Sequence, residues 1–469
     1  MQLSHTRPVS SATFDEPNLV SVAGLVPLMA LAHQAGLREL ADEHVSVPTD
    51  KGANPGLKLS SLVAGMAAGA DSIDDMALLR HGAMGKVFAG AYAPSTLGLF
   101  LRSFTFGHVR QGDAVASRFL RNLAEQSTLL GSAGDTGLVL VDLDDTIVEV
   151  HGHHKQGAAF GYSGVRGLNA LLATISTDTL APVIGAQRLR KGSVGSPRGA
   201  ARLATDTLAL IRRTHLSCRQ VLLRADSAFY GRPAVHAALK GGAQVSVTVR
   251  LDKAVKQAIA GIQDRAWTTI EYPHAVLDEA TGEWVSRAEV AETSFVAFSS
   301  ATKAEQVPGR LIVRRIPDLN AEKNKAAGQD TLFDAWRFHA FFTTTDPMTF
   351  DAVTADKIHR GHAIIEQVHA DLKNSALAHL PSGKFTANAA WLVLAVIAFN
   401  LTRAAATLAS GELAKATTAT VRRKLVTVPG RVATTARRLV LHLPRAWPWE
   451  TAWTRLFNHT AGPPPAVPA

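Results

Sequence analysis

The hydrophobic period of this chain changes once, near residue 137, and the switch limits the folds open to it. From about residue 18 to 130, apolar residues recur at helix spacing, as in LVSVAGLVPLMALAHQAGLRELADEH and LSSLVAGMAAGADSIDDMALLRHG. From about 137 the period falls to two. GLVLVDLDDTIVEVHG, LNALLATIST and APVIGAQRLRKG read as three strands divided by Gly-containing turns, for which antiparallel pairing is natural. SPRGAARLATDTLALIRRTHL then reads as an amphipathic helix, CRQVLLRADSAFYG as a fourth strand, RPAVHAALKGG as a helix and AQVSVTVRL as a fifth strand.

Three meandering strands followed by alternating helix and strand is the RNase H-like order. It predicts a mixed α/β sheet, not a doubly wound parallel one. Residues 264–336 interrupt it with three further strand-like runs, AWTTIEYPHAV, EWVSRAEVAETSFVAFSS and GRLIVRRIP. RFHAFFTTT at 337–345 resumes an apolar strand, and Thr349–Ser375 reads as one long helix. The expected organisation is an all-helical N-terminal DNA-binding domain over 1–130 and a catalytic core in two parts, 131–263 and 337–410. A β-rich insertion occupies 264–336, a basic helical region 411–460 and a disordered tail 461–469.

The chain has 469 residues, a formal net charge of +10 and a pI near 9.8, which suits a polyanionic partner, most often nucleic acid. Cys218 is the single cysteine, which excludes an intramolecular disulfide and a cysteine zinc site. The first residues lack an apolar segment of signal-peptide type. The apolar run AAWLVLAVIAF at 389–399 is shorter than the roughly 20 residues a bilayer needs, so it reads as a core helix. The expectation is a cytoplasmic protein with no membrane association.

The first strand carries Asp142, Asp144 and Asp145 in VLVDLDDTIVEV. An apolar run ending in D-x-D-x-T opens the haloacid dehalogenase-type phosphatases, with Asp142 as nucleophile. It also suits a nuclease that presents a metal-binding carboxylate. The phosphatase reading needs a downstream lysine and a paired acid after a strand. GQDTLFD at 328–334 comes nearest and lacks the strand.

The fourth strand ends in RADSAFY, with Asp226 at its carboxyl end, where open α/β sheets carry ligand sites. In the RNase H-like order the first and fourth strands are neighbours, so Asp144 and Asp226 meet. Two carboxylates at one spot repel unless a divalent cation joins them. A third acid, Glu366, stands in HRGHAIIEQVHADLKNSALAHL, with His369 and Lys373 on its helix face. A strand-end acid is often only a helix cap, and a Glu with a Lys two turns on is often only a solvated face.

Together, DLDDT…GYSGVRGLNALLA, VLLRADSAFY and HRGHAIIEQVHADLKN resemble the DDE transposases of bacterial insertion sequences. The likeness is closest to the insertion-sequence family numbered thirteen-eighty, and it runs over most of the chain. It implies Asp144, Asp226 and Glu366 as the acids holding two Mg²⁺ ions, with Mn²⁺ as a substitute. It also implies double-stranded DNA as partner, both terminal inverted repeats and target, a homodimer on DNA, and a bacterial, nucleoid-associated location. Related transposases carry an arginine four residues before the Glu. Here His362 stands at that place, with Arg360 nearby, so phosphate contact falls to Arg360, His362 and Lys373.

Between Glu412 and Glu450 there is no acid but a run of bases that includes Arg422, Arg423, Lys424, Arg437 and Arg438, which suits non-specific phosphate contact. The insertion holds Trp267 and Trp284, and the resemblance implies that one of them stacks on a flipped base. Two other readings stay open at this point: the phosphatase using Asp142, and a DNA-binding relic without chemistry.

Overall fold

The computed structural model describes residues 10–48, 50–132, 137–177, 179–277, 284–317, 336–435 and 438–461. A two-residue strand, β1 (Leu19–Val20), leads into the expected helices: α1 (Leu25–Gln34), α2 (Leu37–His44), α3 (Pro55–Ala68), α4 (Met84–Val87), α5 (Pro94–Arg102) and α6 (Phe106–Gln126). Proline opens α3 and α5, where its missing N–H costs nothing. Thr105 and His108 form a reciprocal capping box at the start of α6.

The strands of the core are β2 (Val139–Glu149), β3 (Ala159–Phe160), β4 (Arg166–Ser176), β5 (Val183–Lys191), β6 (Val221–Ala225) and β7 (Gln244–Thr248). The helices α7 (Ala200–Ile211), α8 (Arg232–Lys240) and α9 (Lys253–Ala260) are interspersed with and follow them. β5 and β4 pair antiparallel, as do β4 and β2, whereas β2 and β6 run parallel, as do β6 and β7. The protein is thus mixed α/β with a mixed sheet.

Beyond β7 the sheet continues. β8 (Thr268–Leu277), β9 (Trp284–Ala297), β10 (Val307–Pro317) and β11 (Trp336–Thr343) extend it in the order β7-β11-β10-β9-β8. The expected insertion is therefore not set apart from the core sheet. β11 joins the two by pairing Phe341, Phe342 and Thr343 with Thr248, Val247 and Ser246. A small second apolar cluster, including Ile270, Val290, Ile312 and Phe341, lies under Ala355 of α10 (Ala352–Arg360).

The expected single helix over 349–375 is broken. α10 ends at Arg360, a 3₁₀ turn spans Gly361–Ala363, and α11 runs Ile364–Lys373. The cause is distant in sequence. Arg224 of β6 donates from Nη1 to the Ile358 carbonyl at 2.5 Å, taking an acceptor that an unbroken helix would offer to residue 362. A Cβ at Gly361 would stand 2.8 Å from the same nitrogen, so this place in the chain suits glycine.

α12 (Phe385–Ala409) is the expected core helix. It is apolar enough to span a bilayer by composition, yet 89% of its most apolar window is buried inside the protein. It packs on α3, α5, α6 and β5 and so joins the helical lobe to the sheet. The region 411–460, expected as a basic helical region, contains strands as well as helices. α13 (Gly411–Ala414) and α14 (Thr418–Val421) give way to a hairpin, β12 (Gly430–Thr435) and β13 (Arg438–His442), before α15 (Glu450–Thr460). GRVATT is rich in β-branched residues, and it finds a partner in β1, with Leu19 opposite Arg431.

Candidate functional site

The register of the parallel β2–β6 ladder sets the geometry of the acids. Asp142 lies opposite Arg224 and Leu143 opposite Ala225, an offset of 82 (224 − 142). The same offset carried one step on puts Asp226 beside Asp144, past the end of β6. Asp226 therefore stands just past the carboxyl end of β6, and Asp144 in the middle of β2, where its parallel pairing with β6 stops. Asp226 Oδ1 accepts from the Ala228 N–H at 2.9 Å and caps the turn Ser227–Phe229, as a strand-end acid often does. Desolvation, and next the charge of Asp144, push the Asp226 carboxyl above its ordinary range. The charge of Asp144 thus bears on Asp226, with that of His362 acting in the opposite sense.

Asp142 shares the Asp144 side of the strand but has a different fate. It is fully buried, and Arg224 grips it bidentately, Nε to Oδ1 at 2.7 Å and Nη2 to Oδ2 at 2.8 Å. His362 adds Nδ1 to Oδ1 at 3.0 Å. Burial pushes the Asp142 carboxyl up, but Arg224 and His362 more than offset it and hold it below the usual value. A carboxylate so enclosed cannot attack a solvent-borne phosphate ester, which removes the physical basis for Asp142 as a phosphatase nucleophile. Asp145 points to the opposite side, where Arg190 Nη2 donates to it at 2.6 Å and Asn169 Nδ2 also donates.

Helix α11 brings its face onto the same acids. His362, just before it, meets Asp142, while His369 Nε2 stands 3.4 Å from Asp144 Oδ2. Lys373 is exposed. Desolvation lowers its ammonium pKa, and the charge of Asp144 pulls in the opposite direction. Glu366 falls between His362 and His369 on this stripe but is exposed, so the residue against Asp144 is His369, one turn further on. Among the described residues, no three Asp, Glu, His or Cys side chains converge as a ready metal site.

The sequence singled out some contact residues that the structure employs otherwise. Arg360 Nε pairs with Asp356 at 2.8 Å, and His362 is committed to Asp142. The guanidinium end of Arg422 (Cδ, Nε and Cζ) lies against Gly69, and Lys424 Nζ lies 5.3 Å from the ring centre of Trp449. Arg423 and Arg438 are exposed, and Arg437 lies outside the described residues. Trp267 already has a cationic neighbour: the Arg315 guanidinium lies 4.2 Å from its ring centre and 4.4 Å from that of Trp336. The Trp284 side chain lies outside the described residues.

Three participants escaped the sequence reading. Arg224 holds Asp142, and its charge inside the apolar strand VLLRA was the signal. Arg190 does the same for Asp145. Tyr162 is 72% exposed and lines a depression of about 360 Å³ with Thr146 and Lys373. Its phenol is pushed up by desolvation and then by Asp145, Asp144 and Asp226, so an exposed aromatic ring stands beside the acids.

In comparison with known proteins, a family model described as "Transposase DDE domain group 1" matches residues 2–461. Among curated proteins, none matches the chain.

Proposed function

Because the chain belongs to the transposase DDE domain group 1 family, we infer that it cuts DNA at the ends of its own element with Asp144, Asp226 and Glu366 as catalytic acids. The freed 3′-hydroxyls are then joined to target DNA. The observation that carries this reading is the adjacency of Asp144, in the middle of β2, and Asp226, just past the end of β6. The strand order β5-β4-β2-β6-β7 supports an RNase H-like core.

The donor set fits a divalent cation. Asp144 and Asp226 are two carboxylates whose repulsion an ion would relieve, and Mg²⁺ takes one or two carboxylates with water and phosphate oxygens. Glu366 is the third carboxylate, from α11. When bound, such ions supply neutralisation of phosphate charge and a more acidic nucleophile. The chain's own residues orient the reactants. Asp144 is flanked by His369, and Lys373 and Tyr162 border the depression where a DNA backbone would lie. In the first step water attacks phosphorus, and the 3′-oxygen leaves, taking up a proton. In the second the new 3′-hydroxyl loses its proton and attacks a target phosphodiester, whose own 3′-oxygen departs and takes up a proton.

Exposed Arg423 and Arg438 suit backbone contact outside the site. Two element ends brought together imply a homodimer on DNA, and a nucleoid location follows from the substrate. A DNA-binding relic remains the second reading. It predicts salt-dependent binding to end DNA with no cleavage, whereas all three acids are present in this chain.

The test is cleavage of a duplex carrying the element's end, with Mg²⁺. Wild type cuts, and Asp144→Ala, Asp226→Ala and Glu366→Ala each lose at least 10²-fold in rate, as removal of one essential charged group does. Unchanged cleavage by all three variants defeats the assignment.

A further inference from the structure

His369 stands out among the buried polar groups. It is 6% exposed, in the second turn of α11, and neither ring nitrogen has a hydrogen-bond partner among the described residues. Buried imidazoles are nearly always satisfied, so an orphan aimed at a carboxylate calls for a cause. Its Nε2 lies 3.4 Å from Asp144 Oδ2, without the geometry of a hydrogen bond. Two donors about 2.1 Å from one ion stand roughly 3.0 Å apart at a right angle and roughly 3.4 Å apart at the tetrahedral angle. The observed gap lies at the upper end of that range, so one cation can bridge the two atoms after a small approach of the ring.

We propose that His369 Nε2 joins Asp144 as a ligand of the divalent cation, making the site one of mixed nitrogen and oxygen donors. This rests on the reading of Asp144 as a cation-binding acid and adds the residue that α11 brings to it. The helix delivers a carboxylate and an imidazole one turn apart, Glu366 and His369, and the imidazole is the one packed on β2. Imidazole suits Mn²⁺ and later first-row ions better than Mg²⁺, which keeps to oxygen. The site therefore favours Mn²⁺ over Mg²⁺ beyond what an all-carboxylate site does.

The test uses the full untagged chain with Mn²⁺ and reads nitrogen coupling at the ion by electron spin-echo envelope modulation. Wild type is expected to show ¹⁴N modulation that changes to the ¹⁵N pattern on labelling with [¹⁵N]histidine. His369→Gln is expected to lose it and to bind Mn²⁺ about tenfold more weakly. Bound Mn²⁺ without nitrogen modulation, modulation that persists in His369→Gln, or no Mn²⁺ binding each overturns the assignment. The labelled wild type decides the point even if the variant fails to fold, because an unchanged pattern excludes a histidine ligand. End-DNA cleavage by Asp144→Ala separates the two levels. An inactive Asp144→Ala with no nitrogen coupling in wild type fells only the His369 assignment, whereas a fully active one fells the reading beneath it.

Discussion

Arg224 and Asp142 face each other across the parallel β2–β6 ladder, fully desolvated and joined by two hydrogen bonds of 2.7 and 2.8 Å. The third arm of the guanidinium holds the Ile358 carbonyl at the break before α11. One buried ion pair therefore fixes both the strand that bears Asp144 and the helix that bears Glu366 and His369.

Removing one partner of such a pair leaves an uncompensated buried charge, which costs about 3–5 kcal/mol. Arg224→Leu is expected to destabilise the protein by that amount in urea unfolding. Asp142→Leu combined with Arg224→Leu is expected to recover much of it, since an apolar pair of similar volume is often tolerated. A loss under about 1 kcal/mol for Arg224→Leu alone contradicts the pairing.

Asp113 on α6 supplies a pH signature. Burial pushes its carboxyl up to about 6, against the opposing pull of Arg110 and Arg188 and a hydrogen bond from Gln187. The folded value exceeds the unfolded value of 3.8, so the native state binds the extra proton between the two. Stability therefore falls as pH rises from 3.8 through about 6, and the charged form is the costly one above it. The difference between wild type and Asp113→Asn is expected to grow across this window by at most about 3 kcal/mol in favour of the variant. Denaturant midpoints at pH 4, 5, 6 and 7 measure it, and a difference independent of pH refutes it.

The exposed bases on the C-terminal segment bear on DNA affinity. Each phosphate contact contributes about 0.9 to the slope of log affinity against log salt. Arg423→Ala with Arg438→Ala is expected to reduce the slope by about 1–2 and to weaken specific and random duplexes alike. Fluorescence anisotropy from 50 to 300 mM NaCl reads the slope. An unchanged slope removes both residues from the DNA path.

Much of the core was legible because its strands alternate or run apolar over short stretches, and because one register offset relates two acids. The distance of 82 residues between Asp144 and Asp226 becomes adjacency as soon as two parallel strands are recognised. Features that depend on contacts between remote segments were not legible. The break at Gly361 depends on Arg224, 137 residues earlier (361 − 224). The hairpin at β12 depends on β1 near the other end of the chain, and a run dense in arginine reads as helix until that partner is known. Nor does helix periodicity alone choose between Glu366 and His369. Both lie on one stripe, and only the tilt of α11 on β2 puts the imidazole inward.

The pairing of Leu19 with Arg431 closes a loop of 412 positions (431 − 19). Synthesis proceeds from the N-terminus, so α1 to α6 leave the ribosome long before β12 and α15, against which β1 and α1 pack, exist. The ladder from β5 to β7 is continuous before β11 adds to it, whereas β1 and α1 wait for β12 and α15. A product that stops between Glu366 and β12 thus carries all three acids in its sequence but lacks the segments on which β1 and α1 pack.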